Sequence, residues 1–277
     1  MALDQMEFTV CMSVYKNDSP AEFMVSVHSI YKDQIVKPSE IVLVIDGPVS
    51  DDLANAIFNL QGEIPVLKVI PLKDNMGHAI ARQTGLEAAS NNLVAVMDAD
   101  DISVPTRFEK QLQAFAEHPE VSVVGGIINE FIENPTNVVG TRICPENDNE
   151  IKAYLKSRCP MNLVTVMLKK DDILTVGGYQ DWYCEEDYYL WVRLTQNNYK
   201  FYNIQENLVN VRVGKEMYKR RGGYKYFKSE KRLQKYMYTH SLISLPRYLY
   251  NVLIRFAVQV VMPNGLRGWV FQKFARS

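Results

Sequence analysis

The chain has 277 residues, 47% of them hydrophobic and 23% charged, with a formal net charge of −1. That balance fits a globular protein that buries a sizeable core. Four scattered cysteines (Cys11, Cys144, Cys159, Cys184) with no C-x-x-C pair argue against a disulfide or zinc framework and for a reducing compartment.

The N-terminus is polar and acidic, so no signal peptide is expected, and Phe8–Val14 reads as a first strand. It ends at Tyr15-Lys16-Asn17-Asp18. Pro20 opens a helix to about Gln34, with Phe23, Val27, Ile30 and Tyr31 on one face. Glu40–Ile45 is a second buried strand, ending at Asp46-Gly47-Pro48. Ser50 or Asp51 caps a helix to about Leu60, and Val66–Ile70 is a third strand. After Asn75-Met76-Gly77 a helix carries Arg82, with Ile80, Ala81, Leu86 and Ala88 as its apolar positions. The run Leu93–Val96 is a fourth strand, and Asp98, Asp100 and Asp101 follow it. Four βα units in about 100 residues predict an α/β fold, a mostly parallel sheet with helices on both faces. It is Rossmann-like in style, although no G-x-G-x-x-G follows the first strand.

In such sheets ligands bind at the C-terminal strand edge, so Tyr15, Asp46 and the Asp98–Asp101 cluster can line one cleft. Crowded carboxylates repel unless a cation or donors compensate them, and hard oxygen ligands suit Mg²⁺ or Mn²⁺. The plainer reading is an Asp-rich turn in which Asp101 or Ser103 caps the helix after Pro105.

The second half is less regular. Arg107–Glu117 is a helix with Phe108, Leu112 and Phe115 inward, and Val121–Ile128, Val138–Ile143 and Val164–Leu168 read as strands. Glu185-Glu186-Asp187 opens a further helix, where the helix dipole alone would favour acidic residues.

Taken together, these blocks resemble the family 2 glycosyltransferases, whose fold is GT-A. The resemblance rests on Val10–Asn17, Glu40–Gly47, the N-x-G-x-A-x-A-R segment ending at Arg82, and Asp98-Ala99-Asp100-Asp101. Gly177-Gly178-Tyr179 with Glu186-Asp187 completes the ordered set, which covers about residues 8–212. It implies transfer, with inversion, from a nucleotide diphosphate sugar, a UDP-sugar being expected, with Mn²⁺ or Mg²⁺ as cofactor. Asp100 is then the metal ligand, with Asp98 on metal or ribose and Asp101 in support. Asp187 is the general base and Glu186 an acceptor contact or second candidate. Tyr15 stacks on the base, Asp46 hydrogen-bonds it, and Arg82 meets phosphate or ribose; Ser13 and Asp18 lie near.

A narrower resemblance is to bacterial capsule, exopolysaccharide and O-antigen enzymes, on Arg220-Arg221-Gly222-Gly223 and Met262-Pro263-Asn264. It implies a polyprenyl-diphosphate-linked saccharide as acceptor and makes Arg220 and Arg221 candidates for its diphosphate. Leu163 stands where many of that group carry His, so contacts made by that His do not carry over.

Charge divides the chain unevenly. Residues 1–214 sum to −13, whereas 215–277 hold 14 basic and two acidic residues, or +12. We expect a GT-A catalytic domain at 1–214, with a nucleotide-sugar half to about 105 and an acceptor half from about 106. A helical basic tail follows at 215–277. Tyr224–Tyr238 mixes Lys and Arg with aromatics. Asn251–Met262 is apolar apart from Arg255 and Gln259 and too short to span a bilayer, which takes roughly 20 residues. It reads as an in-plane amphipathic anchor on an anionic membrane surface, placing a cytoplasmic protein peripherally at the inner face of the bacterial membrane. The alternative is a helix packed on the catalytic domain or in a homodimer. An acidic cleft opposes nucleic acid as partner. Two competing functions stay open: a sugar-1-phosphate nucleotidyltransferase, which lacks its expected Gly-rich basic loop here, and a nucleotide-sugar-binding module without turnover.

Overall fold

A computed structural model describes residues 6–214 and 222–263. The apolar runs form the expected strands: β1 (Phe8–Val14), β2 (Glu40–Ile45), β3 (Leu67–Pro71) and β4 (Leu93–Met97). All pair in parallel, with Val14 beside Ile45 and Met12 beside Met97. Their C-terminal ends therefore share one edge. The helices between them are α1 (Pro20–Tyr31), α2 (Asp51–Glu63) and α3 (His78–Ala88). Ser50 caps α2 by accepting from the Leu53 amide, as its position before an acidic first turn demands. α1 stops at Tyr31, short of Gln34, whose side-chain amide instead donates to Ser29 O and Val104 O.

The second half adds β5 (Ile102–Ser103), α4 (Arg107–Glu117), β6 (Val121–Phe131), β7 (Val138–Arg142), α5 (Asp148–Leu155), β8 (Met167–Lys169), α6 (Lys170–Thr175), α7 (Glu186–Gln196) and β9 (Lys200–Arg212). The sheet runs β3-β2-β1-β4-β8-β6-β9-β5, with β7 paired to β6. β8 is antiparallel to both neighbours and makes the sheet mixed. The predicted strand Val164–Leu168 is only half realised: Leu163–Thr165 is a 3₁₀ turn, because Asn162 and Thr165 side chains are occupied with the Gly126 backbone.

Helices cover both faces. Phe23, Val27, Leu53, Ile57, Phe108 and Leu112 of α1, α2 and α4 pack one core. Ala81, Leu86, Ile151, Leu155, Leu190 and Trp191 of α3, α5 and α7 pack the other. Ile80, expected on the apolar side of α3, faces solvent at 37% exposure. Two further helices, α8 (Tyr224–Thr239) and α9 (Leu245–Phe256, continued by a π turn Ala257–Val261), lie on the second face. There Leu233 and Met237 of α8 join the core.

α9 packs in an unusual sense. Its polar residues Asn251 and Arg255, with Gln259 beyond, point inward: Arg255 pairs with Glu230 at 3.1 Å, Asn251 donates to Gln234 at 2.7 Å, and Gln259 donates to Glu230. Its apolar residues Leu249, Tyr250, Leu253, Ile254 and Phe256 are exposed. Among the described residues no helix is long and apolar enough to cross a membrane. Arg220 and Arg221 lie outside the described residues.

Candidate active site

The shared strand edge opens into two adjoining cavities. The first, about 520 Å³, is lined by Ser13, Tyr15, Asp18, Asp46, Asn75, Asp98, Asp100, Asp101 and Arg212, among others. The second, about 470 Å³, is lined by Arg82, Asp98, Glu186 and residues of the stretch before α7. Gly77, His78 and Asp98 border both.

The β1 turn is closed by Asp18, whose carboxylate accepts the Tyr15 amide at 2.9 Å. Asp46, at the end of β2, is buried and accepts the amides of Met76 at 2.6 Å and Gly77 at 3.0 Å. Both carboxylate oxygens thus fix the loop that starts α3, so loop building is the role this geometry displays for Asp46. The close approach needs Gly47, which has φ +83° and whose Cβ would lie 2.5 Å from the Asn75 nitrogen.

Of the carboxylates after β4, Asp101 is buried and accepts the Arg212 amide at 2.8 Å. It caps no helix. Ser103 lies in β5, and α4 follows Thr106 with no side-chain cap. The cap reading of the Asp-rich turn therefore fails, since Asp101 is turned inward to β9. Asp100 opens to the cleft. Desolvation by the cleft walls, then the Asp98 charge, raise it to about 6.

Arg82 joins the two acidic motifs. From the second turn of α3 it donates to Asp98 Oδ1 at 3.1 Å and to Glu186 Oε1 at 2.7 Å. Burial works against its charge, but Asp98 and Glu186 outweigh burial and hold the guanidinium charged. Asp187, the next residue of α7, faces another way and lines neither cavity. Its Oδ1 accepts the Tyr188 amide at 2.6 Å, and its Oδ2 lies 3.6 Å from Cys159 Sγ. Burial and the neighbouring Glu186 charge raise its pKa, against Arg82 and Arg142.

Three residues of this site carried no sequence signal. Arg212, 111 positions from Asp101, also reaches Glu22 at 3.1 Å and the Asp100 carbonyl at 3.3 Å. His78 borders both cavities, and Arg142 stands by Asp187. None belongs to a recognisable spacing, because each is brought in by sheet pairing or loop closure.

Among the described residues no three His, Cys, Asp or Glu side chains form a ready-made metal cage. Asp98 and Asp100 nonetheless suit Mg²⁺ or Mn²⁺, which commonly takes one or two carboxylates and completes its shell with phosphate oxygens and water. The raised Asp100 marks uncompensated negative charge that such an ion would relieve.

Two family models match the chain: Glycosyl transferase family 2 over residues 9–175 and Glycosyl transferase family group 2 over 93–272. The UDP-Gal:alpha-D-GlcNAc-diphosphoundecaprenol beta-1,3-galactosyltransferase of Escherichia coli is 34% identical, covering 100% of this chain and 99% of its own. The amylovoran biosynthesis glycosyltransferase AmsE of Erwinia amylovora is 35% identical over 82% of this chain and 84% of its own. Among solved structures, the mannosyltransferase PcManGT of Pyrobaculum calidifontis, in complex with GDP-Man and Mn²⁺, superposes with a TM-score of 0.62. It is 15% identical, over 98% of this chain and 80% of that one, and shares the fold.

Proposed function

The chain belongs to glycosyl transferase family 2, and from that membership we propose the following reaction. A hexose passes, with inversion, from a UDP-sugar to a saccharide on a polyprenyl diphosphate, in the synthesis of a bacterial surface polysaccharide. The observation that carries this reading is Arg82, which ties the donor-side Asp98 to the acceptor-side Glu186 at the border of the two cavities. The names of the two bacterial relatives supply the donor, the acceptor carrier and the polysaccharide context.

The donor lies in the first cavity. Tyr15 and Ser13 face the nucleoside, and the Asp46-braced loop shapes its floor. Asp100 and Asp98 would hold a divalent cation, which when bound neutralises charge on the diphosphate leaving group. Asp101, held by the Arg212 amide of β9, supports them.

Asp187 takes the proton of the attacking hydroxyl. Between the two α7 carboxylates, Glu186 is engaged by Arg82, whereas burial and the Glu186 charge raise the pKa of Asp187 toward that of a working base. A base is most effective when its pKa approaches the working pH. Intact Asp98, Asp100 and Asp187 disfavour a module without turnover.

The lipid end of the acceptor accounts for the inverted packing of α9. Its apolar face lies outward and the 215–277 segment is strongly basic, so we place it on the anionic inner face of the cytoplasmic membrane. The test is a transfer assay: full-length protein, alkyl diphosphate-linked N-acetylglucosamine as acceptor, and a panel of UDP-hexoses with Mn²⁺ or Mg²⁺. Product from one UDP-hexose is expected. Product only from other nucleotide sugars, or none, contradicts the reading.

A further inference from the structure

The second cavity has a wall that no donor-side element supplies. Trp182, Tyr183 and Cys184 line it from the stretch before α7, and Tyr226 lines it from α8. That stretch is fastened to α8. Ser229 Oγ donates to the Tyr183 carbonyl at 2.6 Å, and Trp182 Nε1 donates to the Ser229 carbonyl at 3.3 Å. Arg232 covers the Trp182 ring at 4.0 Å, and Tyr189 packs on it at 4.4 Å. Trp182 is thereby built into the core, whereas Tyr183 and Tyr226 line the cavity. Tyr183 is 41% exposed, and Lys225 of α8 sits 3.9 Å from its ring centroid.

A pyranose ring has an apolar C–H face and a rim of hydroxyls, so it is recognised by an aromatic face beside hydrogen-bonding groups. The cavity offers both, with Asp181 and Glu186 as acceptors for hydroxyls. The Tyr226 side chain hydrogen-bonds Glu185, which fixes its ring. Lys225 is an exposed ammonium on a flexible stem, suited to a phosphate charge as a point cation. α8 also carries α9 through Glu230 and Gln234, so the sugar wall and the outward apolar face belong to one rigid pair of helices.

We propose that Tyr183 and Tyr226 form the platform for the acceptor's sugar ring, and that Lys225 meets the diphosphate joined to it. The ligand class is a pyranose on a diphosphate. The inference rests on the reaction proposed above, because inversion brings the acceptor from the α7 side, away from the donor diphosphate at Asp98–Asp101. It adds the claim that the C-terminal helices build the acceptor site and do more than anchor it.

The test reads binding and transfer separately on the full-length protein. With UDP and Mn²⁺ present, calorimetry measures the affinity for alkyl diphosphate-linked N-acetylglucosamine. Tyr183→Ala should weaken it at least tenfold while UDP affinity stays within twofold. Lys225→Ala should weaken this probe about fivefold and leave the phosphate-free alkyl glycoside unchanged. Lys228→Ala, whose ammonium covers Tyr224 instead, is the control and should bind like wild type. Tyr183→Phe should retain binding and shows that the ring is what matters. Unchanged probe affinity in Tyr183→Ala, or an equal loss for UDP, overturns the platform. Binding that depends on Tyr183 without transfer from any UDP-hexose supports the platform and refutes the reaction; transfer that ignores Tyr183 does the reverse.

Discussion

Arg82 is the residue whose removal discriminates most sharply between a working bridge and a chance surface pair. Arg82→Met keeps length and apolar stem but deletes both charge-assisted hydrogen bonds. The Arg82 side chain is 11% exposed and that of Glu186 14%, so this half of the bridge is largely buried. Removing one partner of such a pair costs about 3–5 kcal/mol, because the other charge is left unpaired. Asp98 is 40% exposed, so water screens it and its share stays within the ~1 kcal/mol of surface pairs. We therefore expect a loss of about 3 kcal/mol, most of it from stranding Glu186. In urea that moves the unfolding midpoint down by about 1 M for a slope near 3 kcal/mol/M. The double variant Arg82→Met/Glu186→Gln should recover most of the loss, since no buried charge remains. A loss below ~1 kcal/mol, or no recovery in the double variant, refutes the bridge as described.

Four further outcomes follow from named residues. Asp187 is raised by burial and by Glu186, so the acid limb of turnover against pH should lie above the ordinary carboxylate range. Glu186→Gln removes one cause of that rise and leaves Arg82 closer to unopposed, so the limb should move to lower pH; an upward move contradicts the assignment. The same shift means that the folded state holds the Asp187 proton more tightly than the unfolded chain, and this stability is lost as pH rises through the raised pKa. Asp187→Asn should accordingly melt no lower than wild type at neutral pH by calorimetry. Gly47→Ala forces a Cβ onto the Asn75 backbone at positive φ, and should cost about 1–3 kcal/mol and weaken UDP binding; a neutral melt would remove the close-approach argument. Leu249→Glu with Leu253→Glu alters only the outward face of α9, so sedimentation with anionic vesicles should fall severalfold without a lower melting temperature. Equal sedimentation would leave α9 as an ordinary packed helix.

The parallel half of the fold was legible because its inner strands β1, β2 and β4 are largely buried and read as short, mostly apolar runs. Glu40–Ile45 and Phe8–Val14 have the bounds their sequences suggest. Once those strands are parallel neighbours, Tyr15, Asp46 and Asp98 must share an edge, so their meeting in the first cavity was legible too. What could not be read is what depends on partners far along the chain. Asp101 looked like a cap because nothing nearby predicts that the Arg212 amide claims it. The meeting of Arg82 with Glu186 depends on how α3 and α7 pack against the sheet, which periodicity does not encode. The helix at Leu245–Phe256 was legible as amphipathic but not in its orientation. Glu230 and Gln234 of α8 offer partners to Arg255 and Asn251, so the polar stripe went inward.

The central claim is that Asp187 drives attack on a donor held at Asp98–Asp101, and single-turnover transfer in Asp187→Asn tests it most directly. With UDP-hexose and the lipid-diphosphate acceptor both saturating, the variant should lose roughly 10²–10⁴-fold in rate, the usual worth of a positioned base, while UDP affinity is retained. A rate within threefold of wild type, or a loss of UDP binding to match the loss of rate, would contradict the account.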